Sequence, residues 1–214
     1  YKTLFQSASA AEVYVPILGM QGTGKSTLLN ALLMDDVVLP VDAQETNCVP
    51  TEIRKSPDGK LSIEILFHDN RPTIRTADPA ELEQYVSNVY NKANEKGVKY
   101  AVVYHNHPLL DNQLVFVDLP GVGSTTHVNT AVTMDFIQKT AVAIFLFNSF
   151  RPLTRTELQF FKAVNDGRSS VWFVQNRWGD ESDIECHETL SANTEIIKKE
   201  LSVTPTIFAF DVKY

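Results

Sequence analysis

The chain alternates between short blocks in which nearly every position is apolar and longer stretches with helical periodicity. Blocks at 13–18 (VYVPIL), 61–67 (LSIEILF), 113–119 (QLVFVDL), 141–147 (AVAIFLF), 170–175 (SVWFVQ) and 205–210 (PTIFAF) have the length of strands. Several are apolar throughout, as a sheet covered on both faces requires, whereas LSIEI alternates as an edge strand does. Pro16 sits awkwardly in its block, because it has no N–H to donate to a ladder. Helical patterns fill the intervals. STLLNALL (26–33) directly follows a glycine cluster. Residues 78–97 carry Asp78 as cap, Pro79 at the first helical position, Leu82, Tyr85, Val86 and Val89 on one side, and Gly97 as the stop. Residues 154–167 and 182–201 each open on a capping box, Thr154 with Glu157 and Ser182 with Glu185. Strands alternating with helices imply an α/β fold built on a mostly parallel central sheet flanked by helices.

With 214 residues, 43% of them hydrophobic, the chain can bury one substantial core and reads as a single domain over residues 1–214. It opens on Tyr1 and stops just after a strand-like run, so truncation at both ends is the expectation. A net charge of -7 argues against a nucleic-acid partner, which would need a surplus of Lys and Arg. Lys92, Lys96 and Lys99 read as a solvated helix face. No apolar block approaches the roughly 18 to 20 residues of a bilayer span. Cys48 and Cys186 lie far apart without pair spacing, which suggests neither a disulfide framework nor a zinc site and favours a reducing, cytoplasmic setting.

The chemistry concentrates in GMQGTGKST. Gly19, Gly24, Lys25 and Ser26 fit GxxxxGK[ST], placed after a strand and opening a helix, which is the context that pattern requires. Such a loop turns backbone N–H groups toward a phosphate chain, Lys25 supplies charge to the β- and γ-phosphates, and Ser26 supplies a hydroxyl for Mg2+. The expected fold is therefore that of a P-loop NTPase, and the expected ligand a nucleoside triphosphate held through Gly19, Gly22, Thr23, Gly24, Lys25, Ser26 and Thr27. In LVFVDLPGVG, Asp118 ends a buried strand and is followed by Pro120 and Gly121 in a DxxG arrangement. The carboxylate suits Mg2+, and the glycine N–H suits a γ-phosphate. Between the two motifs, LPVDAQETNCVPTEIR (39–54) is polar and aperiodic, as a mobile loop would be, and either Thr46 or Thr51 could close over the metal. The YHNHP pair, His105 and His107, has no third ligand nearby and reads as loop or sheet-surface histidine. Trp172 and Trp178 read as core and site-rim residues, and Phe160 and Phe161 as helix packing.

Taken together, GMQGTGKST, ETNCVPTEIR and DLPG, with nearly a hundred residues from Lys25 to Asp118, resemble the dynamin superfamily of large GTPases, particularly its bacterial members. The resemblance covers nearly the whole chain but rests mainly on 16–54 and 114–124. It implies an insertion between the switch I region and the DxxG strand, and GTP hydrolysis with Mg2+ held by Ser26, Thr46 and Asp118. It further implies Gln21 as the residue that orients water, with catalysis carried by Gln21, Lys25, Thr46 and the N–H of Gly121. Eukaryotic dynamins place a serine that helps hold a monovalent cation where this chain has Gly22. The guanine-reading motif expected in the family is [NT]KxD, but here Asn176, Arg177, Trp178 and Gly179 precede Asp180, one position late. The resemblance implies Asn176, Arg177 and Asp180 as the expected base contacts, and the final segment, 210–214, matches the family's last base loop poorly. Self-association through the nucleotide face, a peripheral membrane role and membrane remodelling are implied by the resemblance alone. A nucleotide-dependent scaffold with little turnover and an ATP-using P-loop enzyme are the rival readings.

Overall fold

The computed structural model describes residues 12–34, 36–41, 47–121, 140, 142–164, 170–177, 179–202 and 204–211. Its strands are β1 (Val13–Leu18), β2 (Thr51–Lys55), β3 (Ser62–Phe67), β4 (Ile74–Thr76), β5 (Val98–His105), β6 (Leu114–Asp118), β7 (Val142–Asn148), β8 (Ser170–Arg177) and β9 (Ile207–Asp211). Its α-helices are α1 (Lys25–Leu33), α2 (Pro79–Val86), α3 (Arg155–Val164) and α4 (Asp183–Leu201). The strands form one sheet in the order β4-β3-β5-β2-β6-β1-β7-β8-β9. β1 pairs in parallel with β6 and β7, the ladder continues in parallel through β8 and β9, and β2 and β5 are parallel to each other. Among the named strands of the described residues, antiparallel pairing enters through β2 with β6 and through β3 with β4 and β5. The mostly parallel α/β architecture is thus present, with β3, β4, α2 and β5 inserted between β2 and β6.

Apolar side chains on the two faces of this sheet make two cores. On one face, Leu28, Leu29 and Leu33 of α1 join Ile17, Ile53, Ile63, Ile65, Leu82 and Val103. On the other, Phe161 of α3 and Ile197 of α4 cover Phe145 and Phe173, with ring centroids 5.3 Å apart for Phe145 and Phe161 and 4.8 Å for Phe161 and Phe173. Phe161 therefore packs as its helix position suggests. Pro16 is accommodated because β7 pairs with β1 only at Ile17 and Leu18, so the proline lies outside that ladder.

Several expectations change. The alternating LSIEI strand is one place in from the edge, with the three-residue β4 outside it. Its alternation reflects one buried face, not an edge. β2 and β5 were not anticipated as strands. The polar residues of β2 obscure it because they pair with one another: Arg54 bonds Glu52 at 2.8 Å and the Tyr14 hydroxyl at 2.8 Å, and also reaches Glu12. The helix expected over 78–97 stops at Val86. Asparagine side chains capture the backbone beyond it: Asn88 accepts from Ala93 N–H at 2.9 Å, Asn91 from Lys96 N–H at 2.9 Å, and Asn94 from Val98 N–H at 2.9 Å. Local side-chain bonds of this kind compete with helix continuation. Lys96 and Lys99 accordingly lie over the rings of Tyr85 and Tyr100 instead of forming one helix face with Lys92. Trp172 is 55% exposed, beside Phe208, and is not a core residue.

Both anticipated capping boxes are present at bonding distance. Ser182 accepts from Glu185 N–H while Glu185 accepts from Ser182 N–H at 2.8 Å. Glu157 accepts from Thr154 N–H at 2.8 Å, from the Thr154 hydroxyl at 2.6 Å and from Arg151 at 2.7 Å. Burial alone would raise the Glu157 pKa, but these donors outweigh it and hold the group below its ordinary 4.5. A carboxyl depressed on folding adds stability above its unfolded pKa and loses that contribution as pH falls through the folded value. Glu157→Gln should therefore cost about 1–3 kcal/mol at neutral pH, with the cost shrinking as pH is lowered below about 4.5. Urea unfolding of both proteins across pH checks this, and an equal difference at neutral and acid pH would contradict it.

Candidate functional site

β1 lies between β6 and β7, and the chain leaves its C-terminal end on the loop that opens α1. This is a point where strand order reverses, the usual place for a ligand crevice in an open α/β sheet. Gly19 begins the loop because nothing larger fits. A Cβ there would lie 2.5 Å from the carbonyl oxygen of Leu146 on β7 and 2.7 Å from Thr23 Oγ1. Thr23 is buried and donates its hydroxyl to Met20 O at 2.9 Å, which closes the loop on itself. Gly22 is a glycine for a different reason. A Cβ there would meet nothing within 4 Å, but its φ of 73° is left-handed backbone that a side chain strains. The space that a serine would use is open, and the backbone conformation is what disfavours one.

Gly24, with φ 90°, is the N-cap of α1 and makes no side-chain cap bond. The first turn, Lys25 to Thr27, carries no acidic residue, so its positive helix end faces the loop without internal neutralisation. Lys25 is 4% exposed, and its Nζ donates to Met20 O at 3.0 Å and Gly19 O at 3.4 Å. Burial lowers its pKa to about 8, with the Asp118 carboxylate opposing that shift.

Asp118 ends β6 in register with Ile17 of β1, which brings it beside α1. Its Oδ2 accepts from the Ser26 hydroxyl at 2.6 Å and from the Asn47 amide at 2.6 Å. Its Oδ1 is buried without a hydrogen-bond partner. Burial raises the Asp118 pKa, while the bond from Ser26, the charge of Lys25 and the bond from Asn47 oppose that rise. A hydroxyl and a carboxylate with one uncommitted buried oxygen form an all-oxygen donor set that fits Mg2+, a hard cation that usually takes one or two protein oxygens and completes its shell elsewhere. Ser26 and Asp118 are the residues that would hold it. Among the described residues there is no cluster of three or more His, Cys, Asp or Glu side chains able to hold a metal, and the histidine pair gains no third ligand.

Asn47 was not anticipated. It sits in the polar loop, and only the tertiary structure brings it to Asp118. Thr51 opens β2 opposite Asp118 in the β2–β6 register, so it belongs to a strand, and its hydroxyl is buried without a partner. Thr46 lies outside the described residues. Asn30 was also missed: its side chain takes the N–H groups of Val38 and Leu39 at 3.2 and 2.9 Å and donates to Leu39 O at 2.8 Å. It thereby anchors the segment that leaves α1.

Gly121 packs against the phosphate loop. A Cβ on it would lie 2.8 Å from Gln21 Cα, 2.9 Å from Gln21 N and 3.1 Å from Lys25 Nζ. Gln21, Lys25 and Gly121 are therefore one contact group. On the other side of the loop, Asn176 at the end of β8 is 1% exposed and donates its amide to Thr23 O at 3.1 Å. Arg177 turns away along its own loop, bonding Asp183 at 2.8 Å and the carbonyl of Glu181. Asp180 is exposed. Trp178 and residues 212–214 lie outside the described residues.

This arrangement can now be set beside known proteins. The model of the dynamin family matches residues 15–178. The chain belongs to the dynamin family. It is 31% identical over 185 residues to an uncharacterized protein encoded in the xynA 3' region of Caldicellulosiruptor sp., covering 86% of this chain and 45% of that protein. It is 28% identical to human mitofusin-2 over 168 residues, covering 77% of this chain and 21% of mitofusin-2. Its fold matches a structure from an oligomerised bacterial dynamin pair with a TM-score of 0.76 at 18% identity, covering 99% of this chain and 42% of that one. The chain thus spans less than half the length of these dynamin relatives. No helix among the described residues is long and apolar enough to cross a membrane.

The two glycines separate steric from backbone requirements. Gly121→Ala should destabilise the domain by about 1–3 kcal/mol, because the methyl group meets loop backbone. Gly22→Ala should cost about 1–2 kcal/mol from backbone strain alone. Adding Gln21→Gly should leave the Gly121→Ala cost unrelieved, since the clash is with backbone atoms. Urea unfolding reads all three, and relief by Gln21→Gly would contradict the assignment.

Proposed function

We propose that this dynamin-family chain binds GTP and, with Mg2+, hydrolyses its γ-phosphate bond. The observation that carries this reading is the convergence of Lys25, Ser26 and Asp118 at the joined ends of β1 and β6, with Asp118 Oδ1 left without a partner. The triphosphate lies along the loop from Gly19 to Gly24 and the first turn of α1, through Lys25, Ser26 and Thr27. Lys25 gives up two backbone carbonyls to meet phosphate oxygens. Ser26 and Asp118, with Thr46 from the preceding loop, would hold Mg2+, which would offset the charge that develops on the phosphate oxygens.

The remaining roles concern positioning. Gln21 orients the attacking water, and the Gly121 N–H faces the γ-phosphate, so the presence of that phosphate is sensed at Gly121. Catalysis of this kind rests on preorganised donors and excluded water more than on covalent chemistry. Asn176 braces the loop at Thr23 and places the base beyond β8. The bacterial dynamin pair that this fold matches is described as oligomerised and as sensing and tethering membranes at long range. By analogy, this chain self-associates through its nucleotide face and serves a peripheral membrane role through other parts of a longer protein.

One observation favours a second reading. Gly22 supplies no side chain to a charge-compensating cation, which favours slow turnover and a nucleotide-dependent binding switch. Phosphate release by the chain with Mg-GTP, with and without liposomes, separates the two, because rapid hydrolysis would exclude the switch. GTP should bind at least about tenfold more tightly than ATP by calorimetry, a margin of about 1.4 kcal/mol. Equal or reversed preference would point to the ATP-using alternative. Lys25→Ala should abolish nucleotide binding, and retained affinity would remove the phosphate-loop argument.

A further inference from the structure

The carboxylate best placed to read a base here is neither the one that the motif specifies nor the one nearest to it in sequence. The fourth position of [NT]KxD is Gly179, which has no side chain, and Asp180 is exposed. Glu181 folds back toward Gly179. A Cβ built on Gly179 would lie 3.5 Å from Glu181 Oε2, so this carboxylate sits beside the point from which a fourth-position side chain would project. The φ of 98° at Gly179 turns the chain to allow it.

Two contacts hold Glu181 there. Its Oε1 accepts from the Ser149 hydroxyl at 3.2 Å. Ser149 follows β7 directly and is itself fixed by its N–H, which donates to Asn176 O at 2.8 Å. The backbone carbonyl of Glu181 accepts from Arg177, whose other guanidinium nitrogen bonds Asp183 at 2.8 Å. The second carboxylate oxygen, Oε2, is buried and has no hydrogen-bond partner. Two further buried acceptors at the same ends of β7 and β8, Asn148 Oδ1 and Asn176 Oδ1, also lack partners. Asn148 and Asn176 are register partners in the sheet, and Asn176 is tied to the phosphate loop through Thr23.

Buried acceptors without donors are costly unless a ligand brings the donors. The array at this end of the sheet consists of acceptors, so it suits a base edge made of N–H groups. Guanine presents such an edge through N1–H and the C2 amine, whereas adenine presents an acceptor nitrogen and a C–H there. We propose that Glu181, held by Ser149, is the carboxylate that reads the guanine edge, and that Asp180 takes no part in it. This assignment rests on the guanine-nucleotide reading of the preceding subsection and specifies how that reading is achieved.

Changing the carboxylate to an amide replaces an acceptor with a donor, and xanthine differs from guanine by carrying a C2 carbonyl where guanine carries the amine. Calorimetric titration of the full chain, as wild type, Glu181→Gln and Asp180→Asn, with the Mg complexes of GDP, xanthosine diphosphate and ADP tests the assignment. Glu181→Gln should lose GDP affinity by at least about tenfold and gain xanthosine diphosphate affinity by a similar factor, a gain that misfolding cannot produce. Asp180→Asn should leave every affinity within about threefold of wild type. If Asp180→Asn switches the base preference, or Glu181→Gln keeps it or loses GDP without gaining xanthosine diphosphate, the assignment is overturned while the guanine reading stands. If the wild-type chain binds GDP no more tightly than ADP, the guanine reading fails and the assignment fails with it.

Discussion

The site depends on one carboxylate oxygen. Asp118 Oδ2 receives the Ser26 hydroxyl and the Asn47 amide, each at 2.6 Å, in a place where the side chain is 1% exposed. Three segments remote in sequence meet there: the first turn of α1, the polar loop before β2, and the end of β6. Because the carboxylate is buried, the loss of either donor would leave it poorly compensated, and such losses are expensive. The other oxygen has no partner, so the same group that joins these segments also offers a donor to a cation. Structural cohesion and an uncommitted acceptor oxygen therefore share one side chain.

The sheet is arranged to make that meeting possible. Parallel pairing of β1 with β6 sets Ile17 opposite Asp118, so the phosphate loop and the DxxG segment leave the sheet side by side. Antiparallel entry of β2 sets Thr51 opposite the same aspartate, and Asn47, four residues earlier, reaches it. The insertion is linked to this loop as well. Cys48 N–H donates to Val86 O at 2.8 Å, and the Cys48 thiol faces Val86 O and Asn91 O, where burial pushes its pKa to about 11. The thiol is thus a packed structural group, and α2 abuts the residue next to Asn47.

Glycines at the site answer different constraints, and the distinction bears on chemistry. Gly19 and Gly121 are required because backbone atoms approach too closely for a Cβ. Gly22 has open space and a left-handed backbone instead. A relative with serine at the position of Gly22 would need a different local backbone or would carry strain there. The departure at Gly22 therefore concerns the conformation of the loop as much as a missing hydroxyl.

Much of this was legible in the residues themselves, for identifiable reasons. A glycine-rich turn between an apolar block and a helix, followed by Lys and Ser, is a local pattern whose meaning does not depend on distant contacts. The capping boxes at Thr154 and Ser182 and the buried strand ending in Asp118 are local in the same sense. What failed was set by contacts between distant segments. β2 is polar because Arg54 pairs with Glu52 of the same strand and reaches Tyr14 of β1 across the sheet, and the helix after Asp78 stops because asparagines bond backbone that a periodicity count does not see. Asn47 and Glu181 carry no signal in sequence, since what distinguishes each is a neighbour brought close by folding. The sequence by itself determined that a glycine-rich turn ending in Lys and Ser opens a helix and that a buried strand ends in an aspartate, because such patterns are written in consecutive residues. Only the tertiary structure decided which further side chains face them, because that depends on strand order and register.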